Sequence, residues 1–250
     1  MHLTKLAAVG PFFALRTDDD ELGGPGSGSG PGSSPGGYLP LGEEAVRLRV
    51  ETVGRRLGTG EERVAASVAF QGIAGRLLSV ALGAAVLVGR VPDLAGDGLR
   101  WHPLLTAPDD LWLPDVPFLP SGTDPVAGIA ATVVEGRLAP LHDLFRDAVP
   151  VSSRVLRGNA GSALGGALRV LHTWCAERGR GEEAERALSC ARALLEHPLL
   201  AGTGRLAATA AGPEFVRTTC CLYYRVPSGG MCGDCVLRHP PRAAAGAARG

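Results

Sequence analysis

Hydrophobic positions recur along this chain mostly with a helical period. Val46, Val50, Val53 and Leu57 stand at i, i+4, i+7 and i+11, one face of an amphipathic helix. Val64 to Val88 is helical in composition but crowded with small residues, which predicts two closely packed helices broken near Gly72 or Gly83. Pro92 and Gly96-Asp97-Gly98 mark a turn. Leu99 to His102 and Leu111 to Leu113 read as short strands, paired as a hairpin across Thr106 to Asp110. Asp124-Pro125 is a helix start: the carboxylate can cap free N–H groups, and proline lacks only a donor that the first turn does not need. That helix continues through Ile129 and Val133 to a second stripe at Leu138, Leu141, Leu144 and Phe145, with Pro140 expected to kink or divide it. Ser152-Ser153 opens another helix, striped by Leu164, Leu168, Leu171 and Cys175. A last one begins near Gly181, carries Ala187, Leu188, Cys190, Ala191 and Leu194, and stops before Pro198. Beyond Pro213 the period is lost.

The fold class that follows is mainly α: a helical domain with a short β-hairpin and a small irregular C-terminal lobe. Residues 1–22 form an N-terminal segment expected to pack on the body through its aromatics, and 23–37 a flexible loop of Gly, Ser and Pro. Residues 38–211 are the helical body, 212–239 the cysteine-bearing segment and 240–250 a disordered tail.

Composition narrows the function. Lys and Arg number 25 against 25 Asp and Glu, with no basic run, so neither nucleic acid nor an anionic membrane is an expected partner. Leu6 to Leu15 follows Lys5 as in a signal peptide. Pro11 interrupts it, however, and Arg16 and Asp18-Asp19-Asp20 stand where a cleavage site belongs, so export is not expected. The longest apolar run, Leu77 to Val88, is about 12 residues against the roughly 20 of a membrane span. The cytoplasm is the expected location. The glycines of Gly23 to Gly32 lack the strand and helix that a phosphate-binding loop needs, so no nucleotide site is expected.

Six cysteines change the picture, because four of them are spaced C-C-x10-C-x2-C at Cys220, Cys221, Cys232 and Cys235. In a cytosolic setting such a cluster reads as metal-binding before it reads as disulfides. A Cys-x-x-Cys turn brings two sulfurs to one side, and on a tetrahedral metal with bonds of about 2.3 Å they lie roughly 3.8 Å apart. Adjacent cysteines diverge in extended backbone, so Cys220-Cys221 needs a turn, or the pair spreads over two metal atoms. That suits a [2Fe–2S] cluster better than a single zinc, though a zinc knuckle, two disulfides or four free thiols are the competing readings. Arg217, Arg225 and Arg238 flank the cysteines and would offset a dianionic cluster. Gly229, Gly230 and Gly233 would let backbone N–H groups approach its sulfurs. Cys175 and Cys190 fall on apolar stripes and read as core. His239 would matter only in a Rieske-like centre. Arg63, Arg76, Arg157 and Asn159, polar groups among small residues, are candidate contacts to an anionic ligand or else ordinary surface, salt-bridge and backbone-satisfying groups.

The segment Arg217-Thr-Thr-Cys-Cys-Leu-Tyr-Tyr-Arg-Val-Pro-Ser-Gly-Gly-Met-Cys-Gly-Asp-Cys235 resembles the C-terminal signature of ferric siderophore reductases of the FhuF type. The likeness extends more loosely through Arg63–Ser67, Gly72–Leu77 and Gly158–Ser162, and the Gly/Ser loop has no counterpart in it. The resemblance implies that Cys220, Cys221, Cys232 and Cys235 hold a [2Fe–2S] cluster, with no catalytic residue beyond the cluster. It implies one-electron reduction of a ferric siderophore, the hydroxamate type favoured, to release Fe²⁺ for iron acquisition. Electrons would come from a ferredoxin or flavin reductase, and a membrane siderophore transporter is an expected transient partner. The other two readings are an iron–sulfur sensor of redox or iron status and a zinc-stabilised helical binding module.

Overall fold

The computed structural model describes residues 3–18 and 36–237. The loop expected over 23–37, apart from Gly36 and Gly37, and the tail expected over 240–250 lie outside the described residues.

Local sequence accounts for the first helix, α1 (Glu43–Leu57). Val46, Val50 and Val53 are its buried stripe, acidic residues open it, Arg55 and Arg56 close it, and Gly58 ends it in the left-handed conformation (φ 61°). The next, α2 (Glu62–Leu87), departs from expectation. It is one unbroken helix of 26 residues and passes straight through Gly72 and Gly83. A glycine inside a helix is about 1 kcal/mol worse than alanine, too little to break one that is buried along most of its length. Gly83 in fact admits the N-terminal segment: a Cβ there would lie 2.8 Å from the Phe13 ring. Leu6 and Phe13 are buried against the body, and Trp174 donates to the Ala8 carbonyl at 2.8 Å. By length and composition α2 as a whole would pass for a membrane span, which the uninterrupted apolar runs did not suggest, but 83% of its most apolar window is buried in the fold, as in a core helix.

Three short strands form one antiparallel sheet: β1 (Leu39–Pro40), β2 (Arg100–Trp101) and β3 (Leu111–Trp112), with Trp101 opposite Leu111 as the hairpin reading requires. The third helix, α3, runs continuously as α-helix over Pro125–Ile129, π-helix over Ala130–Leu138 and α-helix over Ala139–Ala148. Asp124 caps it by accepting from the Ala127 N–H at 2.8 Å. Pro140 does not divide it. A proline cannot donate to the carbonyl four residues back, and the wider π turns before it absorb the mismatch: the Ala139 N–H bonds Val134 O, five residues behind. The remaining long helices are α4 (Ser153–Ala176) and α5 (Gly181–Leu194). Among the described residues the most extensive packing is between α2 and α4.

A second hairpin pairs β4 (Gly204–Thr209), at the end of the region read as helical body, with β5 (Gly212–Arg217), where the period is lost. It straddles the boundary expected at 211/212. Its inward face on β5 is Pro213, Phe215 and Arg217, so strand alternation was present but ended on an arginine. The hairpin lies on the glycine face of α4: a Cβ on Gly165 would lie 2.6 Å from Phe215.

Candidate metal centre

The hairpin delivers the cysteine segment to the crossing of α2 and α4. Thr218 is pinned by its N–H to Thr203 O at 2.9 Å, and Thr219 reaches Arg154 O at 3.3 Å. A side chain on Gly158 would run into Thr219, so this glycine sets how closely the segment approaches α4.

The turn that adjacent cysteines need is made one residue later, at Leu222. This residue is left-handed (φ 69°), a conformation costing a non-glycine residue roughly 1–2 kcal/mol. It aims the Leu222 N–H at Cys220 Sγ, 3.3 Å away. A short 3₁₀ turn, Tyr223–Arg225, carries the chain onward. Cys232 and Cys235 are joined by a turn in which the Cys235 N–H meets Cys232 O at 3.1 Å, and the Leu237 N–H approaches Cys235 Sγ at 3.4 Å.

Cys221 and Cys232 are brought together, their Sγ atoms 3.5 Å apart, close to the separation of two sulfurs on one tetrahedral metal. Cys221 is buried; Cys220, Cys232 and Cys235 are half-buried. The two facing sulfurs share a hydrogen bond. It holds Cys221 down to about 7, with help from the Tyr223 N–H and Arg217 against the opposing effect of burial, and it pushes Cys232 up. Among the described residues no group of three or more His, Cys, Asp or Glu is placed to hold a metal ion. The cysteines thus present a close pair with two flanking thiols, and a two-iron centre takes its four thiolates two to an iron.

Behind this pair lies a buried polar chain from three elements. Ser67 of α2 donates to the Cys221 carbonyl at 2.6 Å. Asn159 of α4 donates to Ser67 O and Oγ, both at 2.8 Å, and Asn159 Oδ1 accepts from Arg217 Nη2. Arg217 is 1% exposed, and its Nε and Nη1 have no partner. Asp234 Oδ2, in the Cys-x-x-Cys turn, is also buried and unpartnered. A buried guanidinium without an anion is costly by several kcal/mol. A four-thiolate [2Fe–2S] centre, a dianion when oxidised, is the charge that would answer it, so the residues present fit that group.

The other sequence candidates are placed differently. Arg225 turns to Glu61, 2.9 Å away, and this partner, aided by Arg63, holds the Glu61 carboxyl below its usual range. Arg63 pairs with the same carboxylate at 3.0 Å. Arg76 is fully buried and bonded to Asp110 at 2.8 Å, and Arg157 donates to Leu199 O at 2.9 Å and to Pro198 O. Of the four candidate ligand contacts, only Asn159 reaches the cysteine site, and it does so through Ser67. Gly233 lies beside Arg169, whose Nη1 would be 4.0 Å from a Cβ there. Arg238 and His239 lie outside the described residues. Cys175 and Cys190 are core residues whose thiols burial pushes up, Cys190 to about 11. Sequence reasoning missed Ser67 and Arg169. A serine within an otherwise apolar stretch of α2 was a readable signal for the first; nothing marked the second.

Residues 217–237 match the FhuF 2Fe-2S C-terminal domain, a span that holds all four cysteines and Arg217. No curated protein matches the chain. The match decides between cluster and zinc: the cofactor is a [2Fe–2S] cluster.

Proposed function

Because residues 217–237 form a FhuF-type 2Fe-2S domain, we propose that the protein is a cytoplasmic ferric siderophore reductase. The observation that carries this reading is the four-cysteine signature set against the buried, anion-seeking Arg217. Held by Cys220, Cys221, Cys232 and Cys235, the cluster supplies one electron at a time without a proton. The substrate is Fe³⁺ in a cage of hard oxygen ligands. One electron turns it into Fe²⁺, which is larger, softer and weakly held by the same oxygens, and the metal is released. The electron comes from a ferredoxin or flavin reductase.

The chain's own residues prepare this chemistry. Cys221, held near 7, loses its proton readily to solvent and so is easily present as the thiolate that binds metal. Arg217 and the N–H groups of Leu222 and Leu237 favour added negative charge at the sulfurs and so raise the potential at which the site accepts an electron. Ser67 and Asn159 fix the Cys221 backbone, so the sulfur is positioned before metal arrives.

The test is anaerobic. Purified protein should carry about two irons and two labile sulfides per chain, lost on changing any of the four cysteines to serine. Chemically reduced protein, mixed with a ferric hydroxamate and a ferrous-specific chelator, should be reoxidised as the coloured ferrous complex forms, and NADPH alone should not replace the protein donor. A loaded, reduced protein that stays reduced with hydroxamate, catecholate and carboxylate chelates alike overturns the reading and leaves a sensor.

A further inference from the structure

A cavity of about 460 Å³ opens between α2 and α4, and Cys221 and Cys232 form part of its wall. Its size falls in the range of roughly 300–1,000 Å³ typical of small-molecule sites. The glycines of these two helices separate into two kinds. Gly75 and Gly83 of α2 and Gly158, Gly161 and Gly165 of α4 each face a side chain of this protein that a Cβ would press on or displace. Gly72 of α2 and Gly166 of α4 line the cavity, and a Cβ on either would meet nothing within 4 Å. Glycine weakens a helix relative to alanine, and at these two positions no packing within the protein requires it. What their bareness preserves is the depth of the trough.

Apart from the cysteines, the charged side chains of the trough are of one sign. No acidic side chain lines it, and Arg169 does. Arg169 is exposed, makes no hydrogen bond or ion pair among the described residues, and lies over the Cys232–Cys235 turn. Phe12, 44% exposed, and Tyr223 give it aromatic walls. A partly apolar, oxygen-rich anion is the complement of such a surface.

We infer that this trough seats the organic ferric chelate: its carbon framework lies over Gly72 and Gly166, its anionic oxygens meet Arg169, and its iron comes to the Cys221–Cys232 edge. The inference rests on the reductase reading, and its test separates the two. Gallium(III) forms the same chelates as Fe³⁺ but does not take the electron, so binding can be measured without turnover. Calorimetry with cluster-loaded protein should show gallium tris-hydroxamate and tris-catecholate complexes binding. Gly72→Leu and Gly166→Leu should each weaken binding at least tenfold while iron content and visible spectrum stay unchanged. If a leucine variant fails to load, the Gly72→Ala/Gly166→Ala double variant, which firms both helices, should still bind several-fold more weakly. Arg169→Gln should weaken the anionic tris-catecholate more than the neutral tris-hydroxamate. Leucine variants that bind gallium chelates like the parent, or a parent that binds neither, overturn the trough as the seat whatever the reductase assay gives. Tight, leucine-sensitive gallium binding together with no reoxidation by any ferric chelate would instead keep the seat and remove the reductase.

Discussion

Arg76 and Arg217 are buried to the same depth, each 1% exposed, yet their surroundings differ. Arg76 has a full set of partners: Asp110 at 2.8 Å and the carbonyls of Pro11, Phe12 and Pro108. Burial lowers its pKa and Asp110 pulls it back. Arg217 has Asn159 and two idle nitrogens. At Arg76 the helical body closes its own electrostatics, tying the N-terminal segment and the β2–β3 connection to α2 through one side chain. The cysteine lobe does not; it is completed by an anionic centre. The two arginines divide the molecule into a part that is finished by folding and a part that is finished by its cofactor.

The comparison can be broken most directly at Arg76. Arg76→Met leaves Asp110 as an unpaired buried charge and should destabilise the protein by about 3–5 kcal/mol, read from the denaturant midpoint, with or without iron. An equal loss from Arg217→Met in metal-free protein would erase the distinction. In loaded protein Arg217→Met should lower the reduction midpoint by about 60 mV, roughly 1.4 kcal/mol for one electron. The sign follows from charge: removing a cation penalises the more negative, reduced form. Arg217→Lys should recover much of the shift. Next in size, Cys175→Ala and Cys190→Ala should each cost about 1 kcal/mol of stability through lost packing. Iron content should be unchanged, since neither thiol belongs to the lobe. The smallest effect belongs to Leu222→Gly, which removes left-handed strain and should stabilise the lobe by about 1 kcal/mol or less once the added freedom of the unfolded chain is deducted. Differential hydrogen exchange of the 3₁₀ turn would detect it.

What could be read from sequence was what is decided locally. The Val46–Leu57 stripe, the Asp124 cap and the C-C-x10-C-x2-C spacing each depend on residues a few positions apart. The break expected near Gly72 or Gly83 failed because glycine's effect on a helix is small, and Phe13, at a distance in sequence, gives Gly83 its purpose. The β4–β5 hairpin was hidden because its inward face carries Arg217, so polarity ran against the alternation that marks a strand. The cysteines were legible as ligands. Ser67 was marked only as a serine in an apolar stretch and Arg169 not at all, since each acquires its role only where α2 and α4 meet the lobe.

The bond from Ser67 to the Cys221 carbonyl joins residues 154 apart in the chain, and Asn159 reaches Ser67 across 92. Contacts of such separation close large loops and form late relative to local helices. During synthesis, then, the four cysteine sulfurs of the lobe emerge after both helices and find their geometry only once α2 and α4 have paired. Iron delivery must wait for that pairing. An isolated peptide of the cysteine segment would lack the buried amide and hydroxyl that hold Cys221 in place. The order of assembly is thereby written into the positions of two polar side chains.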